Sequence, residues 1–258
     1  MTRAGVVALN TFREAVRDRV MYNLVFFALL LMATAVVVGQ VSIGIDQIVI
    51  VNLGLSAISV IGLLMAVFIG VGLVSKEMDK RTLYALLAKP VRRWEFLLGK
   101  FGGLLLTLTI NTAAMSAGLY LALFYVKHSI ERADGVALVA IYFILLKLAL
   151  VVSLALLFSC YTTPLLAILF TGGLYVAGLF VKEMRGLHSD TMAPAAQVFL
   201  GWLSYVLPNF ENFDVMASAA HGRHIPGALI AQNTAYAVLY CAIVLAAAVT
   251  IFSRRDMK

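Results

Sequence analysis

Long runs of apolar residues, separated by short polar segments, dominate the chain. A helix needs about 20 mostly apolar residues to cross the hydrocarbon core of a bilayer. Strands are disfavoured because these runs are continuous and do not alternate, and only helices or closed barrels satisfy the backbone in lipid. The pattern therefore predicts one all-α, polytopic transmembrane domain over residues 1–258. Its six predicted spans are about 20–39, 51–74, 101–126, 136–159, 164–181 and 228–252.

Glycines distinguish two of the predicted spans. The fifth, at about 164–181, is the shortest and contains three glycines, which weaken a helix that stands alone. We still count it as a span, and an even number of spans places both termini on one side of the membrane. In the second span, Gly62, Ala66 and Gly70 form a ridge of small residues that suits close contact with another helix.

The N-terminal segment, about 4–19, has the pattern of an amphipathic helix. Leu9, Phe12 and Val16 follow one another at spacings of three and four, so they share one face. Such a helix lies in the membrane interface with its apolar face in lipid; the alternative is a solvated N-terminal tail. The residues predicted at this interface are Phe12, Arg13, Arg17 and Arg19.

The segment at about 183–227 is far longer than a connection between two helices requires. Within it, residues 195–207 are apolar, lie between two prolines and include Trp202 and Tyr205. Aromatic residues of these types favour the headgroup depth of a bilayer. We expect a short helix here that rests in the outer interface or dips back into the membrane.

Composition supports the membrane prediction. Of the 258 residues, 62% are hydrophobic and 13% are charged, whereas a soluble domain is nearer half apolar and about one-quarter charged. The net charge of +7 would suit nucleic acid, but the basic residues cluster at the ends of apolar runs, where anionic lipid surfaces attract them. We therefore expect the lipid bilayer, and no nucleic acid, as a partner.

Lysine and arginine are distributed unequally between the two sides of the membrane. Fourteen of the 20 lie in the termini and in the loop at about 75–100, five lie on the opposite side, and Lys147 lies within a span. Cytoplasmic segments carry the excess of these residues. Both termini and the 75–100 loop are therefore predicted to be cytoplasmic, and 183–227 extracytoplasmic.

Motifs for bond-breaking chemistry are missing from the sequence. It contains no GxxxxGK[ST] phosphate-binding loop, no HExxH and no GxSxG. His188, Asp214, His221 and His224 fall in one loop without a recognised ligand spacing, and loop histidines of this kind are more often solvated. We expect no catalytic residues, metal site or cofactor in this chain, which would supply a path or a mechanical element instead.

Lys147 is the most costly residue of the predicted spans. It lies about eleven residues from either end of the fourth span, and a lysine at that depth costs about 2.5–3.5 kcal/mol, so it should face protein or water. It could contact the headgroup of a substrate or a gate. It could equally be a structural partner of backbone carbonyls or of polar residues on a neighbouring span.

The third span offers polar residues at helical spacing. Thr109, Thr112, Ser116 and Tyr120 recur at intervals of three, four and four, with Asn111 nearby. They are possible partners of the buried lysine, and the alternative is that they support helix packing. The candidate residues of a translocation path are Lys147, Thr109, Asn111, Thr112 and Ser116.

The predicted cytoplasmic loop at about 75–100 contains a short amphipathic helix. Leu83, Leu86 and Leu87 share a face, and Pro90 ends the helix before the next span. A stiff helix with an apolar face suits docking of a soluble partner, and between two spans it can turn the partner's movement into movement of those spans. The alternative is an ordinary connector whose basic residues only set the orientation.

This loop resembles the coupling region of permeases of ATP-binding-cassette transporters of the type-2 export class. The chain departs from the family pattern at Arg81, where glycine is usual. The Arg-rich N-terminal helix is similar to the family's elbow helix, and the six spans and long outer segment also match. The residues that carry the resemblance are Glu77, Thr82-Leu83, Leu86-Leu87, Pro90, Arg93 and Gly99-Lys100.

The resemblance implies that this chain works with other subunits. ATP and Mg²⁺ would bind to two copies of a separate cytosolic ATPase, and a second permease subunit would complete a homodimer in the cytoplasmic (inner) membrane of a bacterium or archaeon. The residues implied to contact the ATPase are Glu77, Arg81, Thr82, Leu83, Leu86, Leu87, Pro90, Arg92 and Arg93.

Two functions share these motifs. One is an exporter permease; the other is a non-transporting membrane subunit that transmits mechanical work to an envelope-assembly or motility machine. A lid-like outer segment suits export, and a recruitment surface suits mechanotransmission. An intramembrane enzyme would need a polar catalytic set, and a stand-alone secondary transporter would need inverted repeats and broken helices, neither of which is evident.

Overall fold

A computed structural model describes residues 3–41, 46–79, 93–127, 135–186 and 201–254. The regular elements of this part of the chain are all helical, which confirms the predicted all-α class. The helices are α1 Arg3–Val16, α2 Arg19–Val41, α3 Asp46–Asp79, α4 Arg93–Lys127, α5 Gly135–Ser159, α6 Pro164–Leu179, α7 Val181–Gly186, α8 at 201–206, a 3₁₀ turn Glu211–Phe213, α9 Met216–Ala220 and α10 Gly227–Arg254.

Within the described ranges, five helices are long and apolar enough to cross a membrane. They are the segments Met21–Gly39, Gln47–Leu73, Trp94–Val126, Gly135–Ser159 and Gly227–Ser253. The fifth predicted span forms the shorter helix α6, whose 16 residues extend over about 24 Å. That length is less than the hydrocarbon core of about 30 Å.

Helix α5 lies at the centre of the bundle and packs against α3, α4, α6 and α10. The predicted ridge of small residues on α3 provides one of these contacts. Gly62 faces the side chain of Leu148, and Gly70 faces Ala155. The prediction that the ridge serves close helix contact is therefore confirmed, and it explains how α3 approaches α5 along several turns.

The predicted loop at about 75–100 begins and ends within helices. Helix α3 continues through Glu77 to Asp79, and α4 already begins at Arg93. Helices therefore extend into this loop from both sides, and the bounds predicted for the loop and for the third span stay predictions. The predicted contact residues outside the described ranges are Arg81, Thr82, Leu83, Leu86, Leu87, Pro90 and Arg92.

Candidate functional site

The first part of α4 is packed closely against α1. A Cβ added at Gly103 would lie 2.5 Å from the carbonyl oxygen of Ala8, and one at Gly99 would lie 2.8 Å from that of Ala4. Thr11 of α1 is fully buried. Only glycine permits this approach of one backbone to another, so the two helices are in contact along the turns that follow the predicted coupling segment.

An ion pair with one buried partner lies beside this contact, since the Glu14 side chain is 41% exposed. Lys100 is 1% exposed, and its Nζ lies 3.8 Å from Oε2 of Glu14 on α1. The same ammonium group is 5.8 Å from the centroid of the Phe96 ring. A buried charge is tolerated when it is paired, so Lys100 holds α4 to α1 rather than facing lipid.

The predicted interfacial residues of α1 lie beside its packed face. Phe12 is half-buried, while Arg13 and Arg17 are exposed. Arg19 begins α2, and its side chain is not among those described. The apolar strip of Leu9, Phe12 and Val16 thus flanks the buried strip that contacts α4, and its location in a membrane interface stays a prediction.

Lys147 is buried at the centre of the bundle. It is 4% exposed, and its Nζ donates a hydrogen bond to Oγ of Ser59 on α3, at 2.5 Å. The sequence had pointed to the third span, now α4, for partners of this lysine. The close approach of α3 and α5 brings Ser59 within reach instead, and the ammonium group lies inside the protein, as its cost in lipid requires.

The other candidate path residues lie on α4 and do not share one environment. Asn111, Thr112 and Ser116 are buried, whereas Thr109 is exposed. The Ser116 hydroxyl donates to the carbonyl of Thr112, and that of Thr109 to the carbonyl of Leu105; such bonds within one helix satisfy a hydroxyl without a ligand. Asn111 differs, because its buried Nδ2 has no hydrogen-bond partner among the residues that the structure describes. Their role in a path stays a prediction.

The outer segment enters the bundle after α8. Trp202 and Tyr205 of α8 are 71% and 82% exposed, but Phe210 and Phe213 are fully or almost fully buried. The Phe213 ring packs against Phe143 of α5, with centroids 6.4 Å apart. Since Phe143 lies one turn from Lys147, the segment reaches nearly to the depth of the buried lysine.

Side chains of α10 hold the irregular backbone of this segment. The hydroxyl of Tyr236 accepts a hydrogen bond from the N–H of Asn209, at 2.9 Å. The hydroxyl of Tyr240 donates to the carbonyl of Val206, also at 2.9 Å. The backbone N–H of Phe210 donates to the carbonyl of Gly178 at the end of α6. The segment therefore fills the space beyond the short helix α6.

Several of these residues escaped the sequence analysis. Gly99 and Gly103 form a small-xxx-small pair that could have signalled a helix contact. Ser59, one of two serines in its predicted span, and the aromatic Tyr236 carried no comparable signal. Of the histidine loop, Asp214, His221 and His224 lie within the described residues and His188 lies outside them. Among the described residues, no group of three or more His, Cys, Asp or Glu could hold an ion.

The fold defines an all-helical, multi-pass membrane protein with a buried lysine and a closely packed N-terminal helix. A family model described as ABC-2 family transporter protein matches residues 6–257. The chain therefore belongs to this family, and it is a membrane permease of the ATP-binding-cassette type, which confirms the family resemblance seen in the sequence. A comparison with curated proteins found no match.

Proposed function

We propose that the chain is the membrane subunit of an exporter driven by separate ATPase subunits that bind at the segment between α3 and α4. The observation that carries the proposal is the packing of α1 on α4 directly after that segment. The glycine contacts and the Lys100–Glu14 pair make the first turns of α4 and the whole of α1 one body. A push on the coupling segment then moves two helices together.

Helix length supports the same proposal. Helix α3 has 34 residues and α4 has 35, so each extends over about 50 Å, against about 30 Å of hydrocarbon. Because Lys and Arg cluster near these ends, we expect the end of α3 at Asp79 and the start of α4 at Arg93 to lie at the cytoplasmic surface of the membrane. The predicted contact residues between them would be presented to a soluble partner.

The remaining parts of the proposal concern assembly. We expect a homodimer with two ATPase copies, both termini in the cytoplasm, and a location in a bacterial or archaeal inner membrane. Helix α6 would count as the fifth of six spans, completed at its outer end by the segment around Phe210 that covers Gly178. These points rest on the family pattern and on the distribution of Lys and Arg.

A co-purification experiment tests the ATPase partnership. The chain is purified in mild detergent from its native membrane, and accompanying proteins are identified by mass spectrometry. We expect an ATPase with a phosphate-binding loop to accompany the wild type and to be lost from Leu83→Asp/Leu86→Asp. The matched control Trp202→Asp/Tyr205→Asp, at the opposite end, should retain it. Absence of any such ATPase from the wild type in several mild detergents would contradict the proposal.

For the path we propose that Lys147 contacts the transported molecule. Lys147→Met should abolish complementation of a strain that lacks the chain while ATPase binding continues, because methionine keeps the volume and loses the charge. Ser59→Ala is the control: it removes the hydrogen-bond partner and leaves the ammonium group, so most activity should remain. Full complementation by Lys147→Met would show that the lysine is structural.

A non-transporting role is the second candidate, and the exposed face of α8 favours it. Trp202, Tyr205 and Val206 expose large apolar surfaces, which suit either a membrane interface or a protein partner. The Trp202→Asp/Tyr205→Asp variant separates the two functions. Loss of an envelope protein from the purified complex, with ATPase binding intact, would favour mechanotransmission over export.

A further inference from the structure

A groove runs between α4, α5 and α10 in the half of the bundle that contains the start of α4 and the end of α10. Its volume is about 600 Å³. The residues that line it are all apolar: Leu98, Phe101, Leu105, Leu146, Ala149, Ala237, Val238, Cys241, Ala242, Leu245, Ala246 and Val249. Ala242 and Ala246 are exposed along its open side, so the groove faces the surroundings of the bundle.

The groove is closed at one end. The rings of Phe96 and Phe252 stack with centroids 6.1 Å apart, and they join α4 to α10 in a small cluster with Leu97 and Ala248. Beyond this contact α10 and α4 are separated, with α5 forming the floor through Leu146 and Ala149. The result is a wedge with a sealed end and an open flank.

The dimensions fit one lipid chain. From Ala237 to Val249 the groove follows α10 for about 18 Å, close to the hydrocarbon thickness of one leaflet, about 15 Å. A helix is about 10 Å across and would insert only side chains into such a groove, whereas a thin, flexible apolar chain can fill it along its length.

The surroundings of the sealed end suit an anionic headgroup. Trp94 is exposed and lies one turn before Leu98 on the same face of α4, and tryptophan favours the headgroup depth. Helix α4 begins at Arg93 and α10 ends at Arg254, so both walls have an arginine at this end. Lys100 points elsewhere, since it is paired with Glu14.

We propose that this groove holds one acyl chain of an anionic phospholipid of the surrounding bilayer, in the leaflet next to Arg93 and Arg254. The lipid is a resident component of the subunit, and the proposal does not depend on which molecule the transporter moves. It would fill the wedge that the helices leave open and hold α4 and α10 at a fixed separation above the Phe96–Phe252 contact.

Native mass spectrometry of the full chain tests the groove. The protein is taken from mixed bilayers of phosphatidylglycerol and phosphatidylcholine into mild detergent, and retained lipids are counted. We expect about one phosphatidylglycerol per chain for the wild type, and at least roughly tenfold lower occupancy for Ala242→Trp, whose indole fills the groove. Leu239→Trp is the matched control, since Leu239 is exposed on α10 and does not line the groove.

Three outcomes distinguish the occupants. Equal lipid retention by Ala242→Trp and Leu239→Trp would overturn the proposal. Loss of a dimer in Ala242→Trp alone would also overturn it, because a second copy would then occupy the groove.

Arg254→Gln should keep a phospholipid but lose the preference for phosphatidylglycerol; an unchanged preference would overturn the headgroup assignment. Ala246→Trp, one turn further along the same wall, should repeat the loss seen with Ala242→Trp.

Discussion

The N-terminal helix and the outer segment are both attached to the side of the long helices and both approach a glycine closely, but only the outer segment also needs side-chain partners for its backbone. Helix α1 satisfies its own backbone hydrogen bonds, so it can lie directly on another backbone wherever glycine leaves room, as at Gly99 and Gly103. The segment from Val206 to Phe213 is mostly irregular, and its N–H and C=O groups need partners. Tyr236, Tyr240 and the carbonyl of Gly178 supply them.

The difference shows what each attachment can transmit. A steric contact along several turns, with an ion pair beside it, moves as one body with α4. A set of separate hydrogen bonds can open one at a time, because each has its own geometry. Under the proposed function, the end of the molecule near the predicted coupling segment would transmit force, and the opposite end would allow local opening above the buried lysine.

The largest effect of the three is expected where the backbone of α1 lies closest to α4, at Gly103. Gly103→Ala should destabilise the protein by about 1–3 kcal/mol, because the added Cβ would overlap the backbone of α1. Gly102→Ala is the matched control: its nearest neighbour would be 3.8 Å away, so the better helix propensity of alanine should leave stability unchanged or raise it by up to about 1 kcal/mol. Denaturant unfolding in detergent measures both. Equal effects would mean that α1 does not depend on this contact.

A smaller, local effect is expected in the outer segment. Tyr236→Phe leaves the N–H of the buried Asn209 without its acceptor, at a cost of about 1–3 kcal/mol. That cost should fall on the segment alone, so amide hydrogen exchange of residues 206–213 should accelerate while that of α4 stays unchanged. Tyr240→Phe removes a bond at a more exposed site and should have the weaker effect. Uniform acceleration throughout the bundle would contradict the local character of this attachment.

The smallest effect concerns an exposed ion pair at the edge of the outer segment. Nζ of Lys182 donates to Oε1 of Glu211 at 2.7 Å, and this hydrogen bond raises the pKa of Lys182 above its ordinary value of 10.5. A raised pKa in the folded state adds stability that is present below pH 10.5 and is lost as the pH rises through the folded value.

Fluorescence anisotropy of Trp202, in a Trp94→Phe background, should therefore fall slightly in that alkaline range. This decrease in anisotropy should be absent when Lys182→Gln is added, because the charge that titrates is then missing. A decrease of the same size with and without Lys182→Gln would show that another group causes it, and that this ion pair does not help to hold the segment.

The sequence by itself determined the class of the molecule. Continuous apolar runs and the surplus of hydrophobic residues require lipid and helices, whatever the packing, because an isolated span must satisfy its own backbone. The coupling motif was sufficient to identify the family. Local patterns also indicated the ridge of Gly62 and Gly70, since a single helix face carries that information.

Only the tertiary structure decided the pairings. Lys100 had the pattern of a residue in a polar loop, but Glu14 of α1 neutralises it and lets it be buried within α4. Lys147 had to face protein, yet the choice of Ser59 as its partner depended on how closely α3 approaches α5. The length of α6 and the position of the segment around Phe210 could not be predicted separately, because that segment fills the space beyond the end of α6. A sequence pattern reports the surroundings that a residue requires, whereas its partner is set by which distant helices pack together.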